Sequence, residues 1–229
     1  MLRVAVAISA AGGAFWSSRD ENGPKGVAVD LARAFARELG EELQLVEYEN
    51  SNSITDDAVR DEWDVTFIPM DALRAQKLDF GPVYNLTEST WLVRAGVTLK
   101  TQADVDDPTV RPIAVANTTT MRAACAALKR VEVKGYATMP EVMDALRSGE
   151  GDAFAMSRDG LERLSVELPG SYVLPGKFFE AKTAGAVPKG HADMLAKVSA
   201  FLKRAAKDGT LRKALDENDM KDAVVPEMG

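Results

Sequence analysis

Arg74 is the residue of this chain whose type and setting most suggest chemistry. It is the single arginine of residues 63–84, WDVTFIPMDALRAQKLDFGPVY, where a short strand (63–68) runs through Pro69 into a polar turn containing Asp71. A planar guanidinium presents paired N–H donors that match a carboxylate, supplying charge and orientation together. Taken alone, an arginine in a polar turn reads as a solvated surface group. A second candidate is AVANTTTMRAA, where a strand enters a polar turn and then a helix. Asn117, Thr118 and Thr119 are all residue types that cap helix N-termini. The free N–H groups and positive dipole end there make a ready anion site. Capping and anion binding are compatible roles.

Other reactive patterns are missing. The sequence shows no triad, metal cluster or P-loop, and AAGGAF lacks the G-x-G-x-x-G spacing of a dinucleotide loop. One histidine, His191, cannot build a His-rich metal site and reads as a surface helix-capping residue. One cysteine, Cys125, excludes an intrachain disulfide and is expected to be a buried small hydrophobe in the Ala-rich helix MRAACAALKR. Neither a cofactor nor a metal is expected. A net charge of −7 argues against nucleic acid, which needs clustered Lys and Arg. No apolar run approaches the ~18 residues of a membrane span, and no signal-peptide core precedes the first strand. The Asn85-Leu-Thr and Asn117-Thr-Thr sequons read as chance matches.

The elements that must position these residues alternate: RVAVAIS, VAVDLARAFARELG, ELQLVEYE and WDVTFIP read as strand, helix, strand, strand. Such alternation predicts an α/β fold with a largely parallel sheet. In the first helix Val27, Leu31, Ala34, Phe35 and Leu39 share one face and Gly40 ends it. A second set begins after Leu99, with RPIAVANTTT and EVMDALRSGEGDAFAMS, the latter a helix, glycine turn and strand mirroring DDAVRDEWDVTFIP.

Residues 63–84, together with GVAVDLARAFARELG upstream, resemble the solute-binding proteins of bacterial ABC importers, family 3, which carry amino acids and related polar molecules. The resemblance covers nearly the whole chain. It implies the two-lobed type II periplasmic-binding-protein fold, each lobe a mixed, mostly parallel sheet flanked by helices, with two crossover strands. The lobes would be 1–91 with 186–229, and 92–185, crossing near 88–93 and returning near 183–187. The tail FLKRAAKDGTLRKALDEN would pack back on the first lobe.

The same resemblance implies a ligand site. Arg74 would grip the carboxylate from one lobe, beside Pro69 and Asp71. Thr119, then Thr118, with Asn117 standing where the family has glycine, would hold it from the other. Amino-acid binders have an aspartate for the ligand's ammonium at the position of Ser157. A serine cannot neutralise an ammonium, so either Asp159 or Asp71 takes over or the ligand lacks one. Arg158 could add an anion contact. Phe15 and Trp16 would wall the ligand, Asn50 and Ser51 would end the second strand facing the same gap, and Phe178 and Phe179 read first as core.

The implied function is a monomeric periplasmic receptor, its signal peptide removed, that closes over a small carboxylate and docks on an ABC permease. The alternatives are an enzyme on this scaffold resembling cyclohexadienyl dehydratase, using Glu88, Asp71 or Asp159 as general acid, and a sensor domain.

Overall fold

The computed structural model describes residues 1–8, 17–220 and 223–228. The chain forms β1 (Leu2–Ala7), β2 (Ser18–Asp20), β3 (Gly23–Lys25), α1 (Val27–Leu39), β4 (Leu43–Tyr48), α2 (Ser51–Asp57) and β5 (Val65–Pro69). Then come β6 (Leu78–Val93), β7 (Pro112–Val115), α3 (Thr119–Ala127), β8 (Lys134–Tyr136), α4 (Met139–Ser148), β9 (Ala153–Ser157), α5 (Arg158–Glu167) and β10 (Tyr172–Val173). Last are β11 (Phe179–Pro188), α6 (Ala192–Asp208) and α7 (Thr210–Asp216). Two compact units result, Met1–Leu86 with Lys182–Gly229, and Thr87–Ala181. The changeovers therefore lie inside β6 and β11, the strands that also contain positions 91/92 and 185/186.

In the first unit the strand order is β4-β1-β5-β11. β1 runs parallel to β4 and β5, and β11 is antiparallel to β5 with Thr183 opposite Pro69. β1 is almost uniformly apolar because both of its faces are covered. On one face α1, α6 and α7 bury Phe35, Phe201, Leu202 and Leu215 against Val4 and Phe67. On the other, Ile54 of α2 and Trp63 pack on Ala5 and Ile68. The expected face of α1 is present: Val27, Leu31 and Phe35 are buried, while Ala34 and Leu39 are half-buried against the same core. The stripe is wider than the pattern suggested, taking in Ala28, Val29, Ala32 and Ala36. Gly40 ends the helix at φ 67°, its N–H donating to carbonyls of the last turn, a conformation glycine adopts without Cβ strain.

The helix before β5 starts earlier than the sequence suggests. Asn50 and Ser51 do not end the second strand, which stops at Tyr48. The Asn50 carboxamide oxygen accepts from the N–H groups of Asn52 (2.9 Å) and Ser53 (3.0 Å), which makes it the N-cap of α2. An Asn in extended conformation before a polar turn favours this cap over another strand residue.

In the second unit the order is β6-β9-β7-β8, with β7 parallel to β9 and β8 and β6 antiparallel to β9. α4 is delimited at both ends, by a capping box between Thr138 and Glu141 and by Gly149 at φ 77°. Cys125 is exposed, contrary to expectation. On α3 the buried stripe runs through Met121, Ala124 and Leu128, and one residue further along turns the next side chain about 100° away. His191 stands at the N-cap position of α6 and is exposed, but its side chain makes no cap hydrogen bond. Its carbonyl accepts from Leu195 N–H at 3.0 Å instead.

Asp152 ties this sheet together. Only 3% exposed, it accepts from Arg111 through N (3.0 Å), Nε (2.7 Å) and Nη2 (2.8 Å), and from Arg94 Nε (2.9 Å). These bonds join the end of β6, the start of β7 and the start of β9. Burial alone pushes the carboxyl's pKa up, and the bonds from Arg111 and Arg94 outweigh it, leaving the pKa below the usual carboxylate range. A lowered folded-state pKa gives stability that is present above the unfolded value of about 3.9 and lost as pH falls through the folded value. Asp152→Asn should therefore lower stability at pH 7 by about 2–3 kcal/mol. The loss should shrink as pH falls below about 3.9 and through the lowered folded-state value, as urea melts across pH would show. Cys125 should react with a thiol reagent in the native protein without denaturant, at a rate near that of the unfolded chain.

Candidate ligand-binding site

Arg74 is not a solvated surface group: it is 2% exposed. β5 ends at Pro69, and the turn that follows is set by Asp71, whose Oδ1 accepts from the N–H groups of Leu73 and Arg74, both at 3.0 Å. The carbonyl of Asp71 then accepts from Ala75 N–H at 3.0 Å, which closes one tight turn. That turn brings the guanidinium back over the strand end. Nη1 donates to the Pro69 carbonyl at 2.6 Å and Nη2 to Ser51 Oγ at 2.7 Å. Nε lies 3.9 Å from Asp71 Oδ2. Two anchors on different elements fix the plane of the group, so its orientation is set before any solute arrives. Asn50, expected as a ligand contact, caps the helix whose first residue, Ser51, holds Arg74. Phe15 and Trp16 lie outside the described residues.

In the second unit, α3 and α5 both start at the C-terminal ends of parallel neighbours, β7 and β9. This is the edge at which open α/β sheets bind ligands. Asn117 has φ 60°, the left-handed region, and is exposed. Asparagine tolerates that region better than most non-glycine residues, which explains how it stands at a position where a glycine would serve. Thr118 is the N-cap: its Oγ1 accepts from Met121 N–H at 3.0 Å and donates to the Val115 carbonyl at 2.9 Å. Thr119 is 8% exposed, and its Oγ1 accepts from Arg122 Nη2 at 3.1 Å. Arg122 escaped the sequence reading, although its position three residues after Thr119 on a helix was the signal for it.

Ser157 ends β9 and occupies the N-cap position of α5 without making a side-chain cap bond. It is 8% exposed, and its hydroxyl finds no hydrogen-bond partner among the described residues. Asp159 sits half-buried in the first turn of α5. Arg158 is engaged elsewhere. Nε donates to Glu88 Oε2 at 3.2 Å and Nη2 to the Gly176 carbonyl at 2.5 Å, so its expected role as an additional anion contact does not match its partners. Glu88 also takes Lys177 Nζ at 3.1 Å. Lys177 and then Arg158 hold the Glu88 carboxyl below the usual range, which keeps it deprotonated at neutral pH. The network joins residues 70 to 89 positions apart, a separation no local pattern reveals. Phe178 packs on Trp91 with ring centroids 4.8 Å apart, as part of the core.

The profile of the bacterial extracellular solute-binding proteins, family 3, matches residues 2–218. The chain belongs to this family. It is 25% identical over 224 residues to the glutamate-binding protein GluB of Corynebacterium glutamicum, covering 91% of this chain and 76% of that protein. It is 24% identical over 190 residues to the ABC transporter glutamine-binding protein GlnH of Bacillus subtilis, covering 81% and 69%. The crystal structure of the ancestral amino acid-binding protein AncCDT-1, a precursor of cyclohexadienyl dehydratase, superposes with a TM-score of 0.79 at 25% identity, covering 94% of this chain and 93% of that one. The fold is thus the type II fold of the periplasmic amino-acid binding proteins. No helix among the described residues is long and apolar enough to cross a membrane.

The backbone at the head of α3 is directly testable. Thr118→Ala should cost about 1 kcal/mol through loss of the cap. Asn117→Gly should stay within about 0.5 kcal/mol, whereas Asn117→Val should cost about 1–2 kcal/mol because a β-branched residue is strained at φ 60°. Urea melts of the three variants measure this order.

Proposed function

We propose that this family member is the extracytoplasmic receptor of an ABC importer, working as a monomer that delivers a small carboxylate-bearing polar solute, an amino acid or related organic acid, to a membrane permease. The observation that carries this reading is the buried guanidinium of Arg74, fixed in plane by Pro69 and Ser51. A buried cation is costly unless its N–H groups have partners, and Arg74 has them on two elements. A pre-oriented one gives a carboxylate charge-assisted bonds without the entropy of ordering a long side chain. Thr118 and Thr119 at the head of α3 would meet the solute from the second unit. Ser157 would meet it too, since its hydroxyl lacks a partner among the described residues and a bound solute would provide one. A solute touching both units stabilises the closed arrangement over the open one, because some contacts exist only on closure. The names of GluB and GlnH agree with an amino-acid cargo and with transport.

Catalysis is the weaker reading. A dehydratase-like reaction needs a protonated general acid, and Glu88 is held ionised by Lys177 and Arg158. Asp71 is occupied in shaping the Arg74 turn.

The test is a thermal-shift screen over amino acids, keto acids and dicarboxylates, followed by calorimetry on the hit and on Arg74→Lys. The solute should be recovered chemically unchanged. Arg74→Lys keeps the charge but loses the planar fork, and should weaken binding about 100-fold, on the order of 2.7 kcal/mol. Unchanged affinity in a folded variant would sink the site, and conversion of the hit to product would move the assignment to an enzyme.

A further inference from the structure

We infer that the second unit carries a further binding site, for an organic anion with an apolar body, at the edge of its sheet opposite the heads of α3 and α5. A cavity of about 570 Å³ opens there, at the N-terminal ends of the parallel strands β7 and β8. α3 follows the other end of β7, which is 4 residues long and so spans about 13 Å. The cavity is thus a separate place from the one proposed for the transported solute. Its volume is within the range of small-molecule sites.

The lining has an apolar part and fixed walls. Val110 and Val131 come to it from one core cluster of the unit and Ile113 from the other. Asp106 Oδ1 accepts from the N–H groups of Lys129 (2.9 Å) and Arg130 (2.7 Å), which ties the segment leading to β8 to residues 102–106. Asp107 Oδ1 accepts from Thr109 N–H at 2.9 Å, and the Asp107 carbonyl accepts from Val110 N–H at 2.9 Å. These two bonds close the turn into β7. Both walls are therefore set before any ligand arrives, which lowers the ordering cost of binding.

The charges at the rim are unequally used. Lys134 Nζ stands 3.4 Å from Glu150 Oε2 and 4.7 Å from the Tyr136 ring centroid, so Lys134 and Glu150 offset each other. Arg111 gives Nε and Nη2 to Asp152, but Arg94 shares that carboxylate, which leaves one positive charge over. Arg130 commits its backbone N–H to Asp106, while its guanidinium has no hydrogen bond or ion pair among the described residues. Glu132 is exposed and likewise unpaired among them. Arg111, Arg130 and Lys134 against Glu132 and Glu150 leave an excess of one positive charge at this cavity, in a chain of net charge −7. Two guanidiniums offer planar N–H donors to a carboxylate or sulfonate, and the valines and Ile113 take the hydrocarbon that carries it.

The probes are anilinonaphthalene sulfonate, whose fluorescence rises when it leaves water, and phenylnaphthylamine, the same ring system without the sulfonate. The unsubstituted protein should bind the sulfonate at one site and about tenfold more tightly than the uncharged amine. Arg130→Gln keeps the backbone N–H that Asp106 holds and removes a guanidinium that holds no other residue, so the fold should stand. It should weaken the sulfonate about tenfold and leave the amine unchanged. Glu132→Gln removes a like charge from the rim and should tighten the sulfonate about threefold. Arg74→Lys should leave both probes unaffected.

Failure of the folded, unsubstituted protein to bind the sulfonate would overturn the inference, as would equal affinity for the two probes, a ratio readable without any variant. Unchanged sulfonate affinity in Arg130→Gln would do the same. Loss of sulfonate binding in Arg74→Lys would put the probe at the solute site instead of this cavity. Weakening by Glu132→Gln would mean that the site favours a cationic group, and an anion would then be the wrong ligand class.

Discussion

A guanidinium only 2% exposed holds a formal charge away from water, and it stays there because acceptors on two separate elements receive its N–H groups. Much of the first unit can be read as the means of keeping Arg74 in that position. β5 has to end where it does so that the Pro69 carbonyl is available. α2 has to start at Ser51 so that Oγ faces Nη2, which requires Asn50 to cap it. Asp71 has to close the turn so that the side chain folds back over the strand. Behind these, Ile54 and Trp63 seat α2 and the start of β5 on the sheet, so a loosened core would reach the guanidinium through its anchors.

The second unit solves a different problem by a different route. It places two helix N-termini at the ends of adjacent parallel strands, where the hydroxyls of Thr118, Thr119 and Ser157 stand beside Arg122 and Asp159. Its charged side chains are drawn into networks of their own: Asp152 with Arg94 and Arg111, and Glu88 with Arg158 and Lys177. Charge is thus held as a pair within one turn in the first unit and as multi-residue networks in the second.

Legibility in the sequence followed the range of the interactions. α1, its Gly40 terminator and the α4-glycine-β9 passage were readable because period and turn chemistry lie within a few residues. The burial of Arg74 was not readable from local pattern, since isolated physics favours an exposed arginine in a polar turn. Asn50 was misplaced because a cap and a strand end use the same residue types. Cys125 was misplaced because in an alanine-rich helix the small residues do not mark which face is buried, and one position turns the side chain by about 100°. Arg158 looked available because its partner Glu88 lies 70 residues away.

Two departures from the family pattern show why resemblance has to be carried over residue by residue. At position 117 the requirement is conformational: the backbone takes φ 60°, asparagine meets it at small cost, and the turn into α3 is preserved. At position 157 the requirement is chemical. A serine ends the strand and starts the helix, and at 8% exposure it leaves a hydroxyl without a partner among the described residues. The first position is answered by backbone conformation and the second by side-chain chemistry. Asp71 and Arg74 lie together within one turn, Oδ2 at 3.9 Å from Nε. The charge at this level of the fold is therefore held within one turn of the first unit, while the end of β9 contributes a hydroxyl.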